Sequence, residues 1–393
     1  YTVPIFLKGK FINTFGVTIN NIFSSSVKDL SLTKLIVPEG IISITGDFEY
    51  LNQYTNVSNI VLPSTMKYVQ AYSLEKTKDF LSIDVSKLYN CIYFGKYSFY
   101  KSKMEYDFEF NPNTKYIGYG AFENSNFNGV NGIVTIPINI IEIYPHVFGW
   151  CDNLKEVVLH KEVNKIGQYA FAYCTNLGEN KTLDLLNVKE IGYYAFAQTK
   201  FEDFIINYDI IEKIDQYALA TISNFSIFKT KKEGDFKITN KMKILGSYWW
   251  CNNTLIDDVK FAYYTYNKNH DSFKDYENDC ILDLTEATAL EEIGDNSFSG
   301  FHKIKGSLFP PNIKKIGERA YQRGVNYGKS RSTDSIECVA YDSLPDSLEI
   351  LEDYWLTGFD IPMTLTTVCT ENSHLQRLGH NVFNNYTVGY SSS

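Results

Sequence analysis

One six-residue phrase recurs along this chain and limits what it can fold into. The phrase is an apolar residue, a glycine, two variable positions, a small residue and a large apolar residue. It is clearest in Ile117-Gly118-Tyr119-Gly120-Ala121-Phe122, Ile166-Gly167-Gln168-Tyr169-Ala170-Phe171 and Ile191-Gly192-Tyr193-Tyr194-Ala195-Phe196. Good copies also begin at Ile293, Ile316 and Leu378, and looser ones at Val69, Phe94, Ile143, Ile214, Leu245 and Leu351. The twelve starts are separated by 25, 23, 26, 23, 25, 23, 31, 48, 23, 35 and 27 residues, and a weaker copy begins at Ile44. A near-constant period of this length is the signature of a solenoid, in which each coil stacks on its neighbours and buries an apolar face it cannot bury alone.

The phrase has a physical reading. Its first and sixth residues are apolar in all twelve copies, so both should point into the core. Glycine holds the second position in eight of twelve copies; it suits a turn where a side chain would clash or φ is positive. The small fifth residue should let coils approach. Between phrases lies a second apolar set, such as Leu154, Val157 and Leu159 or Phe201, Phe204 and Ile206, whose near-alternation predicts a short strand. On the strand after Leu154, the outward residues should be Lys155, Glu156 and Val158.

From Ile143 to Ile191 the chain closely resembles the BspA-like, or Treponema-type, leucine-rich repeat, and the resemblance runs over roughly residues 30–385. Pro38, Pro63, Pro137 and Pro310 sit where that family places proline after the strand. The resemblance implies a leucine-rich-repeat solenoid with right-handed coils of about 23–25 residues. Short parallel strands would line one face, with turns, second short strands and short helical segments on the other. Residues 1–43 fit the repeat poorly and should form an N-terminal cap. Residues 44–385 would be the solenoid, with insertions near 225–240, 261–279 and 324–335, and 386–393 a tail or linker. The family implies a cell-surface or secreted adhesin with a protein or glycan partner on a host or neighbouring cell. The alternative is a building block of a filament, surface layer or virion appendage that associates end to end. An enzyme is the minor alternative.

Composition narrows the partner classes. The net charge is −9, against nucleic acid, whose phosphates need a basic face. No apolar run is long enough to span a bilayer. Because the chain begins at Tyr1, removal of a signal peptide or a fragment boundary is expected. Seven cysteines spread over 393 residues do not make a disulfide scaffold, and no Cys-x-x-Cys suggests zinc. Cys151 and Cys174 share a repeat position and should be neighbours, as small buried residues or, in the minority reading, a disulfide. Asp275, Glu277, Asp279 and Glu286 partly mimic a calcium loop, but Cys280 stands where glycine is needed. No catalytic motif appears, and no cofactor or metal is expected.

The least expected feature is tyrosine at the fourth phrase position. Tyr72, Tyr97, Tyr169, Tyr194, Tyr217, Tyr248 and Tyr354 occupy it, and four successive copies carry it from Tyr169 to Tyr248. In register these rings would form a column, either a packing ladder or a ridge that docks a protein or sugar. The insertion offers a second candidate surface in Tyr263, Tyr264, Tyr266 and His270, since tyrosine-rich loops make adaptable contacts.

Overall fold

The computed structural model describes residues 6–7, 10–11, 14–17, 33–46, 56–79, 81–221, 236–247, 249, 281–298, 303–322, 335–337, 344–357, 370–380 and 382. Among the described residues it is a parallel β-solenoid of about 11 turns with almost no helix. Two compact units divide the chain: Tyr1–Asp184 with Tyr194–Glu202, and Leu185–Tyr193 with Asp203–Ser393.

In the first unit, strands Thr14–Val17, Ser43–Gly46, Tyr68–Val69, Tyr93–Phe94 and Tyr116–Ile117 pair as one parallel sheet. Strands Lys34–Ile36, Asn59–Val61, Ser82–Asp84 and Lys103–Met104 form another. Two strands of these sheets, Thr14–Val17 and Lys34–Ile36, lie within the segment read as a cap. In the second unit, Glu190–Ile191, Lys213–Ile214, Ile244–Leu245, Glu292–Ile293, Lys315–Ile316, Ile350–Leu351 and Arg377–Leu378 pair in parallel. Register sets each first phrase residue on its counterpart, Val69 on Phe94 and Ile293 on Ile316.

The first phrase residue is buried in every described copy except Leu378, which is exposed. The sixth is buried wherever it is described. In the first unit it builds a row of stacked rings, Phe99, Phe122, Phe148, Phe171 and Phe196, with centroids 5.4 to 5.8 Å apart. Each such pair adds about 0.5–1.5 kcal/mol beyond the area it buries.

Backbone hydrogen bonds explain the phrase. The second residue donates its N–H to the first residue's carbonyl one coil earlier, as Gly95 does to Val69 and Gly246 to Ile214. A Cβ on Gly246 would lie 2.2 Å from the Gln216 nitrogen, and one on Gly95 2.3 Å from the Ala71 nitrogen. Clash with the preceding coil, not positive φ, is therefore the reason for glycine there. Positions four, six and eight then donate to the next coil's carbonyls at positions three, five and seven. In the coil beginning at Phe94, Tyr97 donates to Tyr119, Phe99 to Ala121 and Lys101 to Glu123.

Positive φ falls instead on the fourth residue. It runs from 52° to 63° at Tyr72, Tyr97, Gly120, His146, Tyr169, Tyr194, Tyr217, Asn296, Arg319 and Tyr354, in every copy where that residue is described. In six successive coils the eighth residue follows suit: Lys76, Lys101, Asn124, Trp150, Tyr173 and Gln198. Left-handed residues this frequent stop a helix before it forms. Where short helical segments were expected, the coils are turns, and the helical element among the described residues is the 3-10 turn Leu88–Asn90.

The small fifth position has two exceptions, both in the second unit. Trp249 and Trp355 fill it and are buried, and their indole N–H groups donate to the carbonyls of Ser297 and Val382 at 3.0 Å. Each acceptor is the fifth residue of the next coil.

Candidate interaction surface

The fourth-position rings form a continuous row of contacts, stacked between Tyr169 and Tyr194 and edge-on between Tyr97 and Tyr119. In the first unit the row runs Tyr72, Tyr97, Tyr119, His146, Tyr169, Tyr194, with centroid separations of 5.7, 5.2, 5.0, 4.9 and 5.2 Å. Two members depart from a plain tyrosine column. Gly120 supplies no ring and the Tyr97 ring packs against it, within 2.3 Å of where a Cβ would lie, while its neighbour Tyr119 takes the place in the row. His146 replaces tyrosine one coil on, and its Nδ1 lies 3.2 Å from the Glu123 carboxylate. A second short row, Trp150 on Tyr173 at 4.9 Å and 7°, adjoins it through the eighth position.

A left-handed tyrosine costs about 1–2 kcal/mol relative to a right-handed one. Ring stacking along the row offsets that cost, since each neighbour contributes about 0.5–1.5 kcal/mol. Tyr97, Tyr169, Tyr194 and Tyr217 are partly buried, while Tyr72 is 43 % and Tyr354 37 % exposed. Burial, then a hydrogen bond with Tyr119, pushes the Tyr97 phenol well above its ordinary value. Burial, then nearby Tyr93 and Tyr144, also raises the Tyr116 phenol. These hydroxyls stay neutral and act as hydrogen-bond donors and acceptors.

The strand residues fall where the alternation places them. In Glu156–Val158, Val157 is buried, Val158 is 41 % exposed, and Lys155 just before the strand is exposed. Glu156 is already engaged, accepting from the Lys181 ammonium at 2.9 Å. Beside this strand Ile133 is 39 % exposed and lines a shallow pocket with Phe108, Phe110, Val130 and Thr135. Of the remaining candidates, Tyr248, Tyr263, Tyr264, Tyr266 and His270 lie outside the described residues, as do Asp275, Glu277 and Asp279. Glu286 accepts from Lys237 at 2.6 Å.

Cys151 and Cys174 are free and buried, and burial pushes the Cys151 thiol up to about 12. They also do more than fill space. Each donates S–H to a phenylalanine carbonyl of the preceding coil, Cys151 to Phe122 at 3.1 Å and Cys174 to Phe148 at 3.0 Å. In neighbouring coils the same position holds Ser102, Ser125 and Thr199, whose hydroxyls donate to Phe99, Phe122 and Phe196. A column of small donors is legible in the sequence once Ser, Thr and Cys are grouped by that capacity.

Among the described residues no helix is long and apolar enough to cross a membrane, and no group of three metal-ligating side chains converges. The model of the BspA type leucine rich repeat region (6 copies) matches residues 19–142, 93–226 and 221–347. No curated protein sequence matches. Similar solved structures include a leucine-rich repeat protein from Bacteroides ovatus, at 16% identity over 89% of this chain and 86% of that one, with a TM-score of 0.39. Another from Eubacterium ventriosum shares 16% identity over 92% and 85%, with a TM-score of 0.41. A leucine rich cell surface protein from Faecalibacterium prausnitzii shares 13% identity over 92% and 88%, with a TM-score of 0.35. With twelve phrases in register and the family model matched over most of its length, this chain belongs to the BspA-type leucine-rich-repeat family.

Proposed function

We propose that this is a cell-surface or secreted recognition protein that docks another protein and performs no catalysis. The observation that carries the reading is the partly exposed aromatic row, Tyr169 and Tyr194 included, held at backbone positions where glycine or asparagine would sit with less strain. Aromatic anchors on a rigid frame are what protein interfaces use. Protein is favoured over glycan by ring orientation. Tyr169 and Tyr194 stack at 20°, so their flat faces, which a sugar would need, cover each other. Edges and hydroxyls remain, and these suit backbone and side-chain partners. Lys155 and Val158, with Glu156, form a second contact patch on the strand side, and the insertion carrying Tyr263, Tyr264, Tyr266 and His270 a third.

The test is a binding screen of the purified chain against extracellular-matrix proteins, cell-surface proteins and glycans. It is repeated with the Tyr169→Ala/Tyr194→Ala variant and with residues 261–279 replaced by a short turn. Capture of a protein, weakened about tenfold or more by either change, is expected. A chain that captures only glycans, or whose binding neither change alters, ends this reading.

A further inference from the structure

At its N-terminal end the aromatic row changes character. The turn segments 70–79 and 95–102 carry Lys76, Lys78, Lys96 and Lys101 against Glu75 and Asp79. The corresponding segments 117–126, 143–152 and 166–175 of the next three coils contain no lysine or arginine. This basic end belongs to a chain whose net charge is −9, so general composition does not explain it.

The lysines are built into the row. The Lys96 ammonium lies 6.0, 5.5 and 5.2 Å from the ring centroids of Tyr72, Tyr97 and Tyr119. Lys101 lies 5.2 Å from the Tyr100 ring, which meets Tyr97 edge-on at 5.1 Å. Both lysines are exposed, and among the described residues neither forms an ion pair. Lys76 stands one coil from Lys101 at the same phrase position, joined by the hydrogen bond from the Lys76 N–H to the Tyr100 carbonyl, and its ammonium is 3.8 Å from Glu75. A lysine laid over aromatic rings has its stem packed and its charge presented. It therefore loses less freedom on meeting an anion than a lysine free in solvent.

We propose that this lysine-tipped end, Lys96 and Lys101 with Tyr72, Tyr97, Tyr100 and Tyr119, docks an acidic segment of a partner protein. Charge complementarity selects an anionic occupant. Ring geometry selects protein over an acidic glycan. Tyr97 is contacted by Tyr72, Tyr100 and Tyr119 together, and its hydroxyl is hydrogen-bonded to Tyr119, so its ring is crowded on several sides against a flat-lying pyranose. Ammonium groups and phenol edges remain, matching carboxylate side chains on an extended chain. The inference rests on the reading of this face as a docking surface and names the chemistry of what docks.

The test uses the full chain and a labelled oligoglutamate peptide at low salt, with oligolysine and a heparin-derived oligosaccharide as competing arms. Saturable binding of oligoglutamate is expected, weakened about tenfold by Lys96→Gln/Lys101→Gln, retained by Lys96→Arg, and falling as salt rises. The control Lys161→Gln/Lys305→Gln should bind as the parent does. An unchanged melting temperature in the glutamine variants shows that folding is not the cause. No saturable binding, or equal binding by Lys96→Gln/Lys101→Gln, overturns the proposal. So does lysine-dependent binding of heparin without oligoglutamate, which would assign the site to an anionic glycan. The peptide assay needs no native partner, so an empty protein screen and a failed peptide assay are separate results.

Discussion

The two units fill one backbone frame in different ways. In the residue just before the phrase, the first unit places rings: Tyr68 on Tyr93 at 6.3 Å and Tyr93 on Tyr116 at 4.9 Å. Charge takes over on the same edge at the end of the first unit, where Lys165 lies 3.6 Å from Glu142, and continues through the second. Lys315 meets Glu292 at 2.9 Å, and one residue earlier Lys243 meets Glu212 and Lys314 meets Glu291, each at 2.7 Å. Inside, the first unit runs a phenylalanine row beside small residues, whereas the second inserts Trp249 and Trp355. The coil-to-coil hydrogen bonds from positions two, four and six are the same in both units, as Gly246 to Ile214, Tyr217 to Ser247 and Leu219 to Trp249 show. The difference teaches that the frame is set by backbone pairing and the first phrase residue, and that the rows laid over it are interchangeable.

The largest test of that contrast removes a ring from the phenylalanine row. Phe148→Ala should cost about 4 kcal/mol in denaturant unfolding, because stacked neighbours on both sides hold the cavity open. Hydrogen exchange should place the loss in the first unit. A cost below about 1 kcal/mol would show that the row can collapse and is not what fills that unit.

Next in size is the glycine position shared by both units. Gly246→Ala in the second unit should cost about 3 kcal/mol, because its Cβ meets backbone at 2.2 Å. Gly118→Ala at the same phrase position in the first unit should cost less, its nearest contact being the Lys96 backbone nitrogen at 2.7 Å. Equal melting temperatures for the two variants would break the clash argument.

The smallest effect separates the ionic edge from the aromatic one. The hydrogen bond from Lys243 holds the Glu212 carboxyl below its ordinary value of 4.5. A carboxyl depressed in the folded state stabilises fully above its unfolded value, and the contribution fades as pH falls through the folded one. Glu212→Gln should therefore flatten the acid limb of second-unit stability, and high salt should do the same to the parent. Tyr93→Phe should leave both curves unchanged. A Glu212→Gln acid limb that overlays the parent's would remove the ionic edge from the account.

The frame was legible because Ile117, Phe122, Ile166 and Phe171 obey a period that burial imposes. Glycine was legible as a constraint, but not which constraint, since clash and positive φ favour the same residue. The left-handed fourth position was hidden by its occupants. Tyrosine has no left-handed preference, and it is tolerated here through stacking that only the neighbouring coil supplies. Tyr119 was likewise invisible as a row member, because it stands one position early and enters only where Gly120 supplies no ring. Lys96 and Lys101 belong to no motif; Lys96 lies over Tyr72 and Tyr119 of the neighbouring coils and Lys101 over Tyr100 of its own, contacts that only the fold reveals. Of the candidate surface, Lys155, Val158 and the Tyr169–Tyr194 pair lie where periodicity places them.

The short strands have a mechanical consequence. Among the described residues, strands of two to four residues pair with neighbouring coils, and no long ladder shares a load along either unit. Pulled at its ends, such a unit should yield one coil at a time, each releasing about 80 Å of contour for a period near 24 residues. Between Leu245 and Ile293 the period is 48 residues, so the step there should be about twice as long, roughly 160 Å. Force spectroscopy would read the repeat spacing directly as a ruler of unequal steps. For a chain tethered between two surfaces, serial yielding would absorb a tug by lengthening before the contact itself is pulled apart.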